Sequence, residues 1–262
     1  MQAPLSPRRR TAFITGASYG IGAAIALDLA NDGFDVIVSA RRVDNLATVV
    51  AKIEAIGGRA VPVALDLRSP ASVERATNAA ITAFDQLDVV VNNAAIPLRK
   101  AALDVTLEDW NAVIETNLTG TFFVCQKVGR HFIAHHAPGC IVNLASTHGV
   151  VGYAGVSVYG ISKAAIIHMT KMLAVEWAEH GIRVNAVAPG TIDTPSRASI
   201  LADPQIRQGI LSRVPLHRFG TAEEVAAAVR YLVGPAAAYI TGQTLLLDGG
   251  LSACGARGIG PR

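Results

Sequence analysis

Cysteine is scarce in this chain: three among 262 residues, and none in a C-x-x-C pair. Cys125, Cys140 and Cys254 are odd in number and far apart. That excludes a disulfide framework and a cysteine-based zinc site, and it suits a reducing compartment. Charged residues make up only 16% and aromatics 5%, and the net charge of +3 comes from acids and bases mixed along the chain. The one basic cluster, Arg8-Arg9-Arg10, is too short for a nucleic-acid surface and is expected to solvate the approach to the first strand. No apolar run reaches the length of a membrane span. The first ten residues carry charge but no apolar core, unlike a signal peptide. These absences lead to the expectation of a cytoplasmic protein with neither nucleic acid nor membrane as a partner.

What the chain has in quantity is apolar residues, 51%, arranged as strand-like runs alternating with helical stretches. The runs are Thr11–Thr15, Asp35–Ser39, Ala60–Leu65, Leu87–Asn92, Cys140–Ala145, Ile182–Ala188 and Thr244–Asp248. Several are nearly continuous in apolar residues, as parallel strands buried on both faces should be. Seven strands alternating with helices predict an α/β fold: a doubly wound, seven-stranded parallel sheet (a Rossmann fold) in three α/β/α layers. No repeat or compositional break divides residues 1–262, so a single domain is expected, with tails at 1–10 and 251–262.

The first strand runs into Gly16-Ala-Ser-Tyr-Gly20-Ile-Gly22 and then a helix. A strand, a glycine turn and a helix make the first half of a dinucleotide-binding unit. Gly16 permits the sharp turn, Gly20 lets backbone approach a pyrophosphate, and Gly22 lets the helix pack on the strand. The anion then meets free N–H groups at the helix N-terminus. At the end of the second strand, where an acid would favour NAD, stand Ser39-Ala40-Arg41-Arg42. Two arginines suit a 2′-phosphate by charge and fork geometry, which points to NADP(H) over NAD(H). Asp44 reads as the cap of the following helix. Asp66, closing the third strand, is compatible both with a turn residue and with a contact to the adenine edge. Asn92-Asn93-Ala94-Ala95 ends the fourth strand in small residues that leave room for a ligand.

A helical region from Thr106 to His136 opens on a capping box, Thr106-x-x-Asp109. Asn117, three residues before Gly120, is a poor mid-helix choice and predicts a local kink. His131, His135 and His136 include an i,i+4 pair, but no acid or cysteine completes a set, so no metal site is expected. They fit the negative end of a helix dipole.

Ser146 ends the fifth strand, at the carboxyl edge where open α/β sheets bind ligands. Tyr159 and Lys163 are four apart, so a helix stacks them on one face, about 5–6 Å between Cβ atoms. An ammonium beside a phenol favours the phenolate and lowers its pKa. A hydroxyl, a phenol and an ammonium converging there can polarise and protonate a carbonyl. An isolated Y-x-x-x-K pair would read as ordinary helix surface; the surrounding motifs reverse that.

Thr15-Gly16-x-x-x-Gly20-Ile21-Gly22, Asp66, Asn92-Asn93-Ala94, Asn117, Ser146, Tyr159-x-x-x-Lys163 and Pro189-Gly190 follow one another in this order. With them the chain resembles the short-chain dehydrogenase/reductase family of single-domain type, from Thr11 to Gly250. The resemblance implies a hydride transfer between NADP(H) and a ketone or secondary alcohol. Tyr159 would be the general acid/base, Lys163 would tune it and hold the nicotinamide ribose, Ser146 would hold the substrate oxygen, and Asn117 would anchor a relay water. It implies cofactor contacts from Gly16, Ser18, Tyr19, Gly20, Ile21, Arg41, Arg42, Asp66, Leu67, Asn93 and Ala94. Tyr159, Lys163, Pro189, Gly190, Ile192 and Thr194 complete that set.

Ala95 stands where the family more often has glycine, and Tyr19 where NADP-preferring members are often basic. Residues 190–219 would form a substrate lid, and a homotetramer is implied. The stretches Arg218-Phe-Gly-Thr-Ala-Glu-Glu224 and Tyr239-Ile-Thr-Gly-Gln243 look like those of 3-oxoacyl-carrier-protein reductases. Reductases of keto-sugar acids such as gluconate 5-dehydrogenase are equally similar, and Ile96-Pro-Leu-Arg-Lys100 offers cations that could meet a carboxylate. A dinucleotide-binding regulator on the same fold is the alternative, though none of the four catalytic positions is lost. An extended sugar-nucleotide epimerase would need a further substrate domain.

Overall fold

The computed structural model describes residues 8–195, 198 and 202–254. The outer parts of the two expected tails and residues 196, 197 and 199–201 of the expected lid lie outside the described residues. Seven strands form one parallel sheet: β1 (Thr11–Ile14), β2 (Asp35–Ala40), β3 (Ala60–Ala64), β4 (Val89–Asn92), β5 (Gly139–Leu144), β6 (Ile182–Pro189) and β7 (Thr244–Leu247). Their order is β3-β2-β1-β4-β5-β6-β7. After β3 the chain returns to the other side of β1, so the order reverses between β1 and β4. Open sheets leave their ligand crevice at such a reversal, beyond the strands' carboxyl ends.

The five inner strands are buried on both faces because helices cover both. Ala12, Ile14, Val36, Val38, Val89, Val91 and Val142 turn to one core, covered by α1 (Gly20–Asn31), α2 (Ala47–Ala55) and α8 (Ala222–Val233). Phe13, Ile37, Val90, Ile141 and Val184 turn to the other, under α3 (Pro70–Thr82), α5 (Thr121–Ala134) and α6 (Ser157–Trp177). Side-chain alternation along each strand divides the residues between the two cores. Pro62 is tolerated in β3 because that strand is an edge.

Helix starts follow the sequence signals. Ser69 caps α3 with Pro70 in first position. Thr106 and Asp109 close the capping box of α4 (Leu107–Ile114), and Thr221 and Glu224 close that of α8. The kink expected at Asn117 is a π-helical turn, Glu115–Gly120, joining α4 to α5. In the segment expected to form a lid, α7 (Pro204–Leu211) is capped by Asp203.

Two expectations are corrected. Arg8, Arg9 and Arg10 are pinned to the sheet's amino edge instead of merely solvating it. Arg8 pairs with Asp88 at 2.6 Å and Arg9 with the buried Asp35 at 3.3 Å. Arg10 donates to the Val233 carbonyl and lies over the Phe34 ring. Asp44 caps nothing: it sits inside a 3₁₀ turn, Val43–Leu46, that begins α2 without a side-chain cap, and its carboxylate faces Arg42 at 3.6 Å. The 3₁₀ turn moves the start of the helix, so an acid two residues after Arg42 is left to its neighbour's charge.

Candidate active site

Ser146 leaves β5 in extended conformation and starts a 3₁₀ turn, Thr147–Gly149, its Oγ accepting from the His148 N–H. That turn lies directly against α6. A Cβ on Gly149 would fall 2.7 Å from the Lys163 carbonyl carbon, and one on Gly160 would fall 2.9 Å from the His148 oxygen. Glycine at these two positions allows the hydroxyl-bearing turn and the helix carrying Tyr159 and Lys163 to touch.

Lys163 is 4% exposed, and its ammonium donates to the Leu144 carbonyl at 2.6 Å, where β5 ends. Desolvation pushes its pKa down to about 8. Its Nζ lies 5.7 Å from the centre of the half-buried Tyr159 ring. A buried cation held by a carbonyl is no solvated surface lysine.

Asn117 is buried in the π turn, and both polar atoms of its side chain are hydrogen-bonded. Its Oδ1 accepts from the Ile96 N–H at 2.8 Å, and its Nδ2 donates to the Ile96 carbonyl at 2.9 Å and to Ser162 Oγ at 3.1 Å. Ser162 in turn donates to the Tyr159 carbonyl at 2.7 Å. The π turn, the loop after β4 and the helix bearing Tyr159 are thus fastened together. Below them, Asn92 Nδ2 donates to Asn143 Oδ1, and Asn143 Nδ2 to Thr170 Oγ1, which ties β4, β5 and α6.

The glycine turn lies at the β1–β4 reversal. Gly16 and Gly20 have φ of 66° and 60°, where glycine is the favoured residue. Asn93 braces the turn: its Nδ2 donates to the Thr15 and Gly16 carbonyls, while Thr15 Oγ1 accepts from the Asn93 and Ala94 N–H groups. Ala94 packs on Gly16, and the Thr194 methyl lies 3.6 Å from where a Gly20 Cβ would stand. Helix α1, like α2, α5 and α6, has no side-chain cap and no acid in its first turn. An uncapped N-terminus beside a positive-φ glycine turn fits an anion. Ser18, Tyr19 and Ile21 line this turn.

Asp66, at the end of β3, pairs with Arg68 at 3.5 Å and feels the charge of Arg41 at the end of β2. Partial burial opposes it, but the Arg68 backbone and guanidinium, with Arg41 adding, hold the Asp66 carboxyl below its ordinary value. Arg42 is engaged by Asp44, leaving Arg41 as the better 2′-phosphate partner of the two. Leu67 is buried against Gly120. On the other flank, Gly190 donates to the Leu247 carbonyl and Ile192 bridges to Gly220, which fixes the start of the segment after β6.

The sequence reading missed three members of this neighbourhood. Ser162 fills the slot before Lys163, a position that invites a polar contact. His148 and Tyr153 stand with ring centres 5.4 Å apart, and His148 is 6.1 Å from Tyr159; nothing in the local sequence signals that contact. Lys100, one of the cations expected to meet a carboxylate, is taken by Asp109 at 2.6 Å. Among the described residues no group of three His, Cys, Asp or Glu side chains could hold a metal ion, and no helix is long and apolar enough to cross a membrane.

Residues 16–252 match the family described as enoyl-(acyl carrier protein) reductase. The chain is 42% identical to a 3-oxoacyl-[acyl-carrier-protein] reductase of Synechocystis over 244 residues, covering 92% of this chain and 96% of that protein. It is 38% identical to 3beta-hydroxysteroid dehydrogenase 1 of Eggerthella lenta over 244 residues, 93% and 94% of the two chains. A solved structure from Agrobacterium tumefaciens, assigned as a 2-deoxy-D-gluconate 3-dehydrogenase and holding NADP, superimposes with a TM-score of 0.88 at 35% identity, covering 97% of this chain and all of the other. The chain belongs to the short-chain dehydrogenase/reductase family of oxidoreductases.

Proposed function

We propose that this protein is an NADP(H)-dependent reductase and dehydrogenase of ketones and secondary alcohols, working through Tyr159. The observation that carries the reading is the buried Lys163 ammonium beside the Tyr159 ring, at the strand end where Ser146 presents its hydroxyl. When bound, the cofactor supplies or accepts a hydride at the carbonyl carbon.

The chain's own residues do the rest. Ser146 Oγ holds the substrate oxygen, and the Tyr159 hydroxyl gives it a proton in reduction and takes one in oxidation. Lys163 favours the phenolate form of Tyr159 by its charge. Asn117 positions Tyr159 through Ser162 and anchors a relay water. The uncapped start of α1 with Gly16, Ser18, Tyr19, Gly20 and Ile21 takes the pyrophosphate, and Arg41 takes the 2′-phosphate. Asp66, Leu67, Asn93 and Ala94 border the adenosine side; Pro189, Gly190, Ile192 and Thr194 border the nicotinamide side. Residues 190–219 close over the substrate. NADP over NAD rests on Arg41 and on the NADP-bound relative.

The substrate is a 3-oxoacyl thioester or a keto-sugar acid. A homotetramer is supported by Leu107, Trp110, Phe122, Met172 and Val175, exposed on α4, α5 and α6, and by Leu245 and Leu246 on edge strand β7.

The test is NADPH oxidation against 3-oxoacyl thioesters, 5-keto-gluconate and bulky cyclic ketones, repeated with NADH and with Tyr159→Phe. Turnover on one class, lost by at least a thousandfold in the variant with NADPH affinity kept, is the expected result. Activity retained by Tyr159→Phe would remove the assignment.

A further inference from the structure

A cation stands at the far end of the wall that begins at Tyr159. The rings of Tyr159, His148 and Tyr153 follow one another at 6.1 and 5.4 Å, and the Arg213 guanidinium lies over the Tyr153 ring, 4.8 Å from its centre. Arg213 follows α7, so this contact joins the segment after α7 to the loop that follows the Ser146 turn. The loop holding Tyr153 is fixed from its other side, where Lys100 N–H donates to the Gly155 carbonyl at 2.8 Å.

Three other cations of this region are engaged. Lys100 is held by Asp109, Arg218 by both oxygens of Glu224, and Arg207 lies over Phe219. Arg213 has no carboxylate within ion-pair distance among the described residues, and its side chain is exposed. A guanidinium lying over a ring keeps its N–H donors in its own plane, free for a planar, two-oxygen acceptor.

We infer that Arg213 is a specificity-determining residue that receives a substrate carboxylate, set several bonds from the reacting carbonyl. This rests on the reductase reading and narrows it. With the carbonyl at Ser146 and Tyr159, the body of the substrate runs past His148 and Tyr153 before its charge reaches Arg213. The two intervening rings favour a carboxylate set apart from the carbonyl over one adjacent to it. They suit keto acids with the two groups at opposite ends of the molecule.

The experiment compares matched pairs with NADPH: 5-keto-gluconate against its carboxamide, and a methyl ketone with a terminal carboxylate against its methyl ester. Each is measured with wild type, Arg213→Ala and Arg213→Lys. A charge-assisted hydrogen-bonded pair is worth about tenfold to a hundredfold in affinity. Arg213→Ala is therefore expected to raise KM for the acids by that factor, with kcat and NADPH affinity kept and the neutral partners changed less than about twofold. Arg213→Lys should recover part of the loss. Equal losses on acid and neutral partner would make Arg213 a lid latch only and overturn the inference. Wild type reducing acid and neutral partner equally well would overturn it while leaving the reductase reading standing. Wild type that binds NADPH and reduces no carbonyl in either the pairs or the wider panel would overturn both.

Discussion

Replacing Lys163 by Met should separate what the site needs from what the fold prefers. Burial lowers Lys163 from 10.5 to about 8, so the fold disfavours its charged form by on the order of 3 kcal/mol relative to the neutral amine. The sign follows from proton binding. Below about pH 8 both folded and unfolded chains hold the proton, and the folded state carries the whole penalty. Above about 10.5 neither holds it, and the penalty is gone. Between the two, the unfolded chain binds more protons, so this residue makes stability rise with pH. From about pH 7 to about pH 9.5 the wild-type protein should gain roughly 2 kcal/mol relative to Lys163→Met, or about 4–8 °C in Tm for a chain of this size. The lost hydrogen bond to the Leu144 carbonyl costs the variant about 1 kcal/mol, which sets the offset between the curves and not their slope. The assay is thermal unfolding of both proteins, without cofactor, at several pH values. A difference between the two that stays flat across this range would refute the account of a buried, desolvated ammonium. Activity of the variant should be lost at every pH.

Three further substitutions test the 2′-phosphate arginines and the site's packing. Arg41→Ala should weaken NADPH at least tenfold and leave NADH nearly unchanged, since only the 2′-phosphate partner is removed; Arg42→Ala, whose guanidinium faces Asp44, should change both little. Equal losses of NADPH and NADH on fluorescence titration would undo the phosphate reading of Arg41. Gly149→Ala would place a methyl 2.7 Å from the Lys163 carbonyl carbon, pushing the Ser146 turn off α6. Turnover should fall at least tenfold while NADPH binding persists, and a normal kcat would show that the turn's close seat on α6 is not required.

The fold was legible because its signals are local and repeated. Apolar runs, capping boxes at Thr106 and Thr221, the Ser69-Pro70 start and the glycine turn each act within a few residues, and their alternation leaves one kind of sheet. The kink at Asn117 was legible too, because a side chain that competes with helical backbone is conspicuous inside a helix. What escaped was long-range. Nothing near Arg9 announces that Asp35 waits 26 residues on, also held by Arg59. Nothing near Arg213 announces Tyr153. Asp44 shows the opposite failure: the local rule for caps was sound, but a 3₁₀ turn shifted the helix start and gave the carboxylate to Arg42.

The arrangement at Lys163 shows why so much of the site lies in residues that never meet a substrate. A buried ammonium is unfavourable by itself, and four carbons of flexible stem would let it swing away from the Tyr159 ring. Three attachments prevent that. The Leu144 carbonyl takes the charge at the strand end, Asn143 and Thr170 tie the strand to the helix, and Ser162 with Asn117 fixes the turn of α6 that precedes Lys163. Each uses a polar side chain inside an apolar layer, where an unmet hydrogen bond would cost about 1–3 kcal/mol. Satisfied together, they leave few alternative packings. Loosening any one of them should therefore lower turnover before it lowers stability, because the ammonium has room to move long before the core has reason to open.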